Sequence, residues 1–97
     1  MARILCTGVA VLDIINYVDH FPRENEELRA THQELRLGGN SANTAKVLTQ
    51  YGHDLELLAC FSNDSAGDWL TKQLTLNGIG SQHSPRLDGQ TPTSYIT

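Results

Sequence analysis

Leu37 to Gly52 (LGGNSANTAKVLTQYG) sets a double glycine before three short polar side chains, Asn40, Ser41 and Asn43, and then a helical run. Ala42, Ala45, Val47, Leu48 and Tyr51 recur at helical spacing until Gly52 stops the pattern. The segment therefore reads as a tight turn feeding a helix N-terminus. Glycine allows φ > 0 and close approach of a ligand to the main chain, and the first helical turn leaves N–H groups without internal partners. Two readings of the polar residues follow. Asn40 or Ser41 caps the helix, or these side chains and Asn43 turn towards a bound polyol.

A carboxylate upstream bears on that choice. Arg3 to Val11 (RILCTGVAV) is apolar on both alternating faces, as in a central strand of a parallel sheet covered on both sides. Open α/β sheets bind ligands at the carboxyl ends of their strands, and Asp13 stands at that end. An acid between Leu12 and Ile14 is costly to bury alone, so it either accepts backbone hydrogen bonds or contacts a ligand.

Composition excludes several other chemistries. Ninety-seven residues suffice for one small domain or a piece of a larger one. With 39% hydrophobic and 19% charged residues the composition is that of a globular chain. A net charge of −4 and scattered basic residues argue against a nucleic-acid partner. No apolar run reaches the ~18–20 residues that span a bilayer, and no small-residue cleavage site follows an apolar core near the N-terminus. The two cysteines, Cys6 and Cys60, sit in apolar runs and read as core thiols of a cytoplasmic protein. The four histidines have no mutual metal-ligand spacing, so no metal site is expected.

In chain order, Ile14–Val18 reads as a second, shorter strand ended by Phe21-Pro22, followed by an acidic loop. Leu28–Leu37 is more polar, with its alternation slipping at Leu35. It belongs to an exposed layer with one wet face, and a bulge near Glu34 accounts for the slip. The organising helix and a buried strand over Leu55–Phe61 complete a βαβ unit with its preceding strand. Ser65-Ala66-Gly67-Asp68 resembles a capping box for a second helix, with Asp64 as the rival cap, and Asn77-Gly78 ends that helix. Ile79–Gln90 is an irregular crossing with a short strand around His83. Thr91–Thr97 is β-rich and runs into the C-terminus, so the chain is expected to continue beyond it.

Four features together resemble the amino-terminal third of a sugar kinase of the ribokinase (PfkB) family, in its ketohexokinase branch. They are the opening strand running into Val11-Leu12-Asp13, the Asp19-His20-Phe21-Pro22 exit, Gly38-Gly39-Asn40-Ser41-Ala42-Asn43 opening the helix, and Thr91-Pro92-Thr93-Ser94 before the last strand. The resemblance covers residues 3–97. It implies a ribokinase-like three-layer α/β sandwich with a parallel central sheet and a small β-lid over the sugar. The α/β core would be residues 3–13 and 38–80, and the lid strands 14–18, 28–37 and 91–97. It also implies that Asp13, Gly39, Asn40 and Asn43 bind a ketohexose-like sugar, the acid and the two amides holding vicinal hydroxyls.

ATP and Mg²⁺ are implied as cofactors, with their sites and the catalytic Asp beyond residue 97. No catalytic residue is therefore assigned here, and the 97-residue chain alone is expected to be inactive. Gly38-Gly39-Asn40 is no P-loop, since no Gly-Lys-Ser/Thr follows. Ser41 stands where the family signature prefers Gly, Ala or Pro. A homodimer through the lid strands is implied as well, because unpaired strand edges invite pairing. The alternatives are a nucleoside kinase of the same family, whose base pocket could draw only on Tyr17, Tyr95 and Ile96 here, and a non-catalytic dimerisation module.

Overall fold

The computed structural model describes residues 1–96; Thr97, the end of the expected last lid strand, lies outside the described residues. The elements run β1 (Arg3–Thr7), β2 (Val11–Tyr17), β3 (His32–Gly38), α1 (Asn40–Gln50), β4 (Asp54–Leu58), β5 (Phe61–Ser62), α2 (Ser65–Leu76), β6 (Ile79–Gly80), β7 (Arg86–Leu87) and β8 (Thr93–Ile96). They form a parallel core sheet β1-β4-β6, a second sheet β3-β2-β8 and a two-stranded pair β5-β7.

The core sheet alternates cleanly. Ile4 and Cys6 of β1 and Leu55 and Leu57 of β4 turn to one side, where Ala42 and Ala45 of α1 and Leu70 and Leu74 of α2 meet them in a single buried cluster. The small alanines on the inner face of α1 let that helix lie close to the sheet. Arg3, Leu5 and Thr7 and, on β4, Asp54 and Leu58 point the other way and are exposed, Leu5 at 59%. One face of the sheet is thus covered by helices among the described residues, and the other carries a groove of about 410 Å³ bordered by Arg3, Leu5, Asp54, Glu56 and His83. Glu56 leans over Gly80, where a Cβ would come within 2.5 Å of its Oε2, and its Oε1 is buried without a hydrogen-bond partner among the described residues.

Several expected boundaries move. The strand expected over Arg3–Val11 breaks after Thr7, and Val11–Asp13 open β2 of the second sheet, so Asp13 belongs to the lid rather than to the end of a core strand. The reason is local. The Gly8 amide still donates to Leu58 O (3.2 Å), but a side chain on Gly8 would overlap Ser41, so the chain leaves the sheet where α1 approaches. Residues 11–13 therefore leave the expected core segment, and among the described residues the lid strands cover 11–17, 32–38 and 93–96, where 14–18, 28–37 and a last strand beginning at 91 are expected.

β3 pairs with β2 residue for residue from Val11↔Gly38 to Tyr17↔His32, so the bulge expected near Glu34 is not there. The apparent slip is a change of environment: Leu35 is exposed on a strand whose last two residues, Leu37 and Gly38, dip into the core. The βαβ unit is also reassigned, because β3 lies in the lid sheet. The parallel partner of β4 across α1 is β1, with the β2–β3 hairpin inserted between them, and β4-α2-β6 forms a second such unit. His83 lies in a turn between β6 and β7 rather than in a strand. Cys60 is exposed, not a core thiol; Cys6 is half-buried, and both are free. Among the described residues no helix is long and apolar enough to cross a membrane.

The α2 cap is Asp64, whose Oδ1 accepts from Gly67 N (2.8 Å), and not Ser65. Asp64 has the extended backbone a cap requires (φ −97°, ψ 173°), whereas Ser65 is already helical. Asp64→Ala should lower the melting temperature clearly, and Ser65→Ala should change stability by less than ~0.5 kcal/mol. Equal losses for the two would contradict the assignment.

Candidate functional site

The double glycine is where core and lid meet. Gly39, at φ +97°, is the N-cap of α1, and a side chain on it would overlap the Val9 carbonyl of the β1–β2 link. Gly38 precedes it in β3, and a side chain there would overlap the carboxylate of Asp13. Both glycines are thus fixed by close approach, one to the core loop and one to the acid. Lys46, two turns along α1, braces the turn by donating from Nζ to Leu37 O (3.1 Å).

The expected N-cap is not made. α1 starts without a side-chain cap hydrogen bond, and its first turn holds no acidic residue. Ser41 Oγ donates instead to Thr7 O (2.6 Å), tying the helix start to the carboxyl end of β1. The side chains of Asn40 and Asn43 are exposed and make no hydrogen bond among the described residues, while the Asn43 amide closes the first helical bond to Gly39 O (2.9 Å). An uncapped helix start offers N–H donors and partial positive charge, and the two amides add donors and acceptors beside it.

Asp13 sets its carboxylate against Gly38, just before this end. It lies opposite Arg36 in the β2–β3 ladder, but Arg36 turns along its own strand to Glu34 (2.7 Å), whose carboxyl it holds below the usual range. The Asp13 side chain keeps no ion pair or hydrogen bond among the described residues. A half-buried carboxylate with an engaged neighbour and free lone pairs can accept two hydroxyls at once. Of the four residues expected to bind substrate, the structure sets Asp13 beside the Gly38–Gly39 turn, and Asn40 and Asn43 follow in the first turn of α1. No hydrogen bond joins the two asparagines to Asp13.

Sequence reasoning picked out Gly38 but not the room it leaves for Asp13, and it missed Gly8, which makes room for Ser41. It also missed the reach of Asp64, which accepts from Thr91 N (2.8 Å) and Thr91 Oγ1 (2.5 Å) as well as from Gly67. The Thr91 hydroxyl first, then the Thr91 and Gly67 amides, pull the Asp64 pKa down from 3.8 to about 2. A folded-state pKa below the unfolded one means the stabilisation is full above the unfolded value and lost as pH falls through the folded one. The melting-temperature advantage of the native protein over Asp64→Asn should therefore shrink between about pH 4 and about pH 2. An advantage constant over that window would show that the carboxylate is not so held.

The profile of the pfkB family of carbohydrate kinases matches residues 1–97. The chain belongs to this family. It is 34% identical to mouse ketohexokinase over 93 residues, covering 95% of this chain and 31% of that protein. It is 31% identical over 99 residues to a nucleoside kinase of Methanocaldococcus jannaschii, covering 99% and 32%. The crystal structure of that nucleoside kinase superposes with a TM-score of 0.77 at 28% identity, over 98% of this chain and 32% of that one. A ribokinase of Cryptococcus neoformans in complex with ADP superposes at 0.73 and 23% identity, over 98% and 30%, which supports the fold. The ribokinase-like α/β fold expected from the sequence is the one observed. The chain spans about a third of the length of the curated relatives it matches.

Proposed function

We propose that this pfkB family chain is the sugar-binding and lid portion, from the amino-terminal part, of an ATP-dependent kinase that phosphorylates a hydroxyl of a ketohexose-like sugar. Asp13, Gly39, Asn40 and Asn43 form its substrate-binding set. The observation that carries the reading is the uncapped start of α1 set across the Gly38–Gly39 turn from a carboxylate with no protein partner among the described residues. A vicinal diol needs acceptors and donors at fixed separations, and such a pair of elements supplies both. In this reading Asp13 accepts from two hydroxyls and the asparagines orient the ring, while the lid sheet excludes water from one side.

ATP as the phosphoryl donor is supported by membership of this carbohydrate kinase family. The described residues offer no group of three or more His, Cys, Asp or Glu side chains that could hold a metal ion, so no step is assigned here to Mg²⁺. The exposed edges β3 and β8 support a homodimer through the lid strands.

A nucleoside substrate is the second reading, favoured by the 31% identity to the Methanocaldococcus jannaschii enzyme. It needs an apolar base pocket from the lid, and Tyr17, Tyr95 and Ile96 stand 40%, 74% and 43% exposed. Initial rates of ATP-dependent phosphorylation by the full-length protein, with ketohexoses, aldoses and nucleosides side by side, decide between the two. A kcat/KM for nucleosides above that for every sugar would overturn the first reading.

A further inference from the structure

We propose that Asp64 is a positioning residue that holds the lid strand β8 in place beside Asp13, acting from the N-terminus of α2. The proposal rests on the sugar-site reading above and adds a residue to it.

A helix cap needs one acceptor, and Asp64 spends only its bond to Gly67 N on that purpose. Its remaining bonds leave the helix. Thr91 Oγ1 shares Oδ1 and Thr91 N takes Oδ2, so one carboxylate holds both donors of a residue 27 positions away. Thr91 is itself the buried polar residue of this region, 8% exposed. Two bonds then carry its position into the lid: Pro92 O accepts from Leu12 N (2.9 Å), and Thr93 Oγ1 donates back to Thr91 O (3.0 Å). Thr93 pairs with Leu12 and Ser94 with Asp13.

β8 has little else to hold it. Among the described residues all four of its members are exposed, it stands at the edge of its sheet, and it bonds only to β2. A strand without buried side chains opens readily unless anchored at an end. α2, in contrast, is fixed in the core by Leu70 and Leu74. Asp64 therefore fastens the loosest strand of the lid to a rigid helix, two residues before that strand begins and three before the one beside Asp13.

Asp64→Asn separates the two roles. Its Oδ1 still caps α2, but its NH₂ meets the Thr91 N–H donor to donor. Thr91→Val removes the hydroxyl bond and keeps the cap, and Thr91→Ser restores it. Amide hydrogen exchange and sugar kinetics are measured on the full-length protein and on each variant. In Asp64→Asn and Thr91→Val, exchange at Leu12 and residues 93–96 should accelerate about fivefold or more, with the first turn of α2 unchanged and Thr91→Ser close to the native protein. Sugar KM should rise about fivefold or more with kcat changed less than about twofold.

Unchanged exchange in β8, or equal acceleration in α2 and β8, would overturn the proposal, since the first denies the link and the second reduces Asp64 to a cap. A loosened β8 with unaltered KM would overturn its effect on the site. If the native protein phosphorylates no sugar, the sugar-site reading fails, and exchange still decides whether Asp64 holds β8. If Asp64→Asn does not fold, Thr91→Val, which keeps the cap, decides alone.

Discussion

Asp13→Asn in the full-length protein should raise the sugar KM by about 10²-fold while leaving the melting temperature unchanged. Hydrogen bonds to an ionised group contribute about 1.5–3 kcal/mol each, and losing the charge weakens both that Asp13 would accept, so a total near 3 kcal/mol corresponds to ~10²-fold in affinity. The fold should not notice. The Asp13 side chain has no ion pair or hydrogen bond among the described residues, Arg36 is already engaged by Glu34, and the amide fits the space that Gly38 leaves. Asn43→Ala provides the companion measurement. Its side chain is exposed and makes no hydrogen bond among the described residues, and alanine favours the helix interior by a few tenths of a kcal/mol. A lost sugar affinity with equal or higher stability would mark Asn43 as a ligand group. A sharp fall in melting temperature with KM unchanged, for either variant, would make these residues structural and remove the site.

The two halves of that site were unequally legible in the sequence. The helix half was plain, because Gly-Gly followed by apolar residues at helical spacing has few other readings, and α1 runs from Asn40 to Gln50 as the pattern indicates. The acid half stood out as a residue, but its setting was misread: Asp13 lies in β2 of the second sheet and not at the end of a core strand. Arg3–Val11 is continuously apolar, and periodicity cannot show that a chain leaves one buried sheet at Gly8 to enter a second at Val11 when both sides of the break are apolar. The cue was Gly8 itself, whose role depends on Ser41, 33 positions later. Tertiary contacts of this kind leave no local trace. The same holds for Asp64, whose sequence shows a cap but not the donors arriving from Thr91.

The lid was legible for the opposite reason. Its strands are half-wet, and the polarity of residues 28–37 set them apart from the core before any pairing was known. What polarity could not fix was extent. Residues 28–31 precede β3, where Thr31 N and Oγ1 both donate to Tyr17 O (2.7 and 3.1 Å) and start the hairpin ladder. A polar strand and a polar loop look alike until such a bond decides where pairing begins.

Gly39→Ala should be strongly damaging, lowering stability by about 2–6 kcal/mol and abolishing measurable sugar saturation. Two independent costs add. Gly39 has φ +97° and ψ 142°, near a region that is essentially glycine-only and costs a side chain about 1–3 kcal/mol. A Cβ there would also overlap the Val9 carbonyl, and backbone cannot swing aside as a side chain can, so overpacking adds about 1–3 kcal/mol. Relief requires the Gly38–Gly39 turn to shift away from the β1–β2 link, carrying the start of α1 with it. That movement changes the separation between the first-turn N–H groups and Asp13, the quantity on which the proposed diol recognition depends. Gly52→Ala is the control: it too has positive φ (+83°), but open space surrounds its missing side chain and it lies at the far end of α1. It should lose some stability and no affinity. If Gly39→Ala is no worse than Gly52→Ala in either measurement, the turn is not held against Val9 as described, and the joining of core and lid at this glycine is wrong.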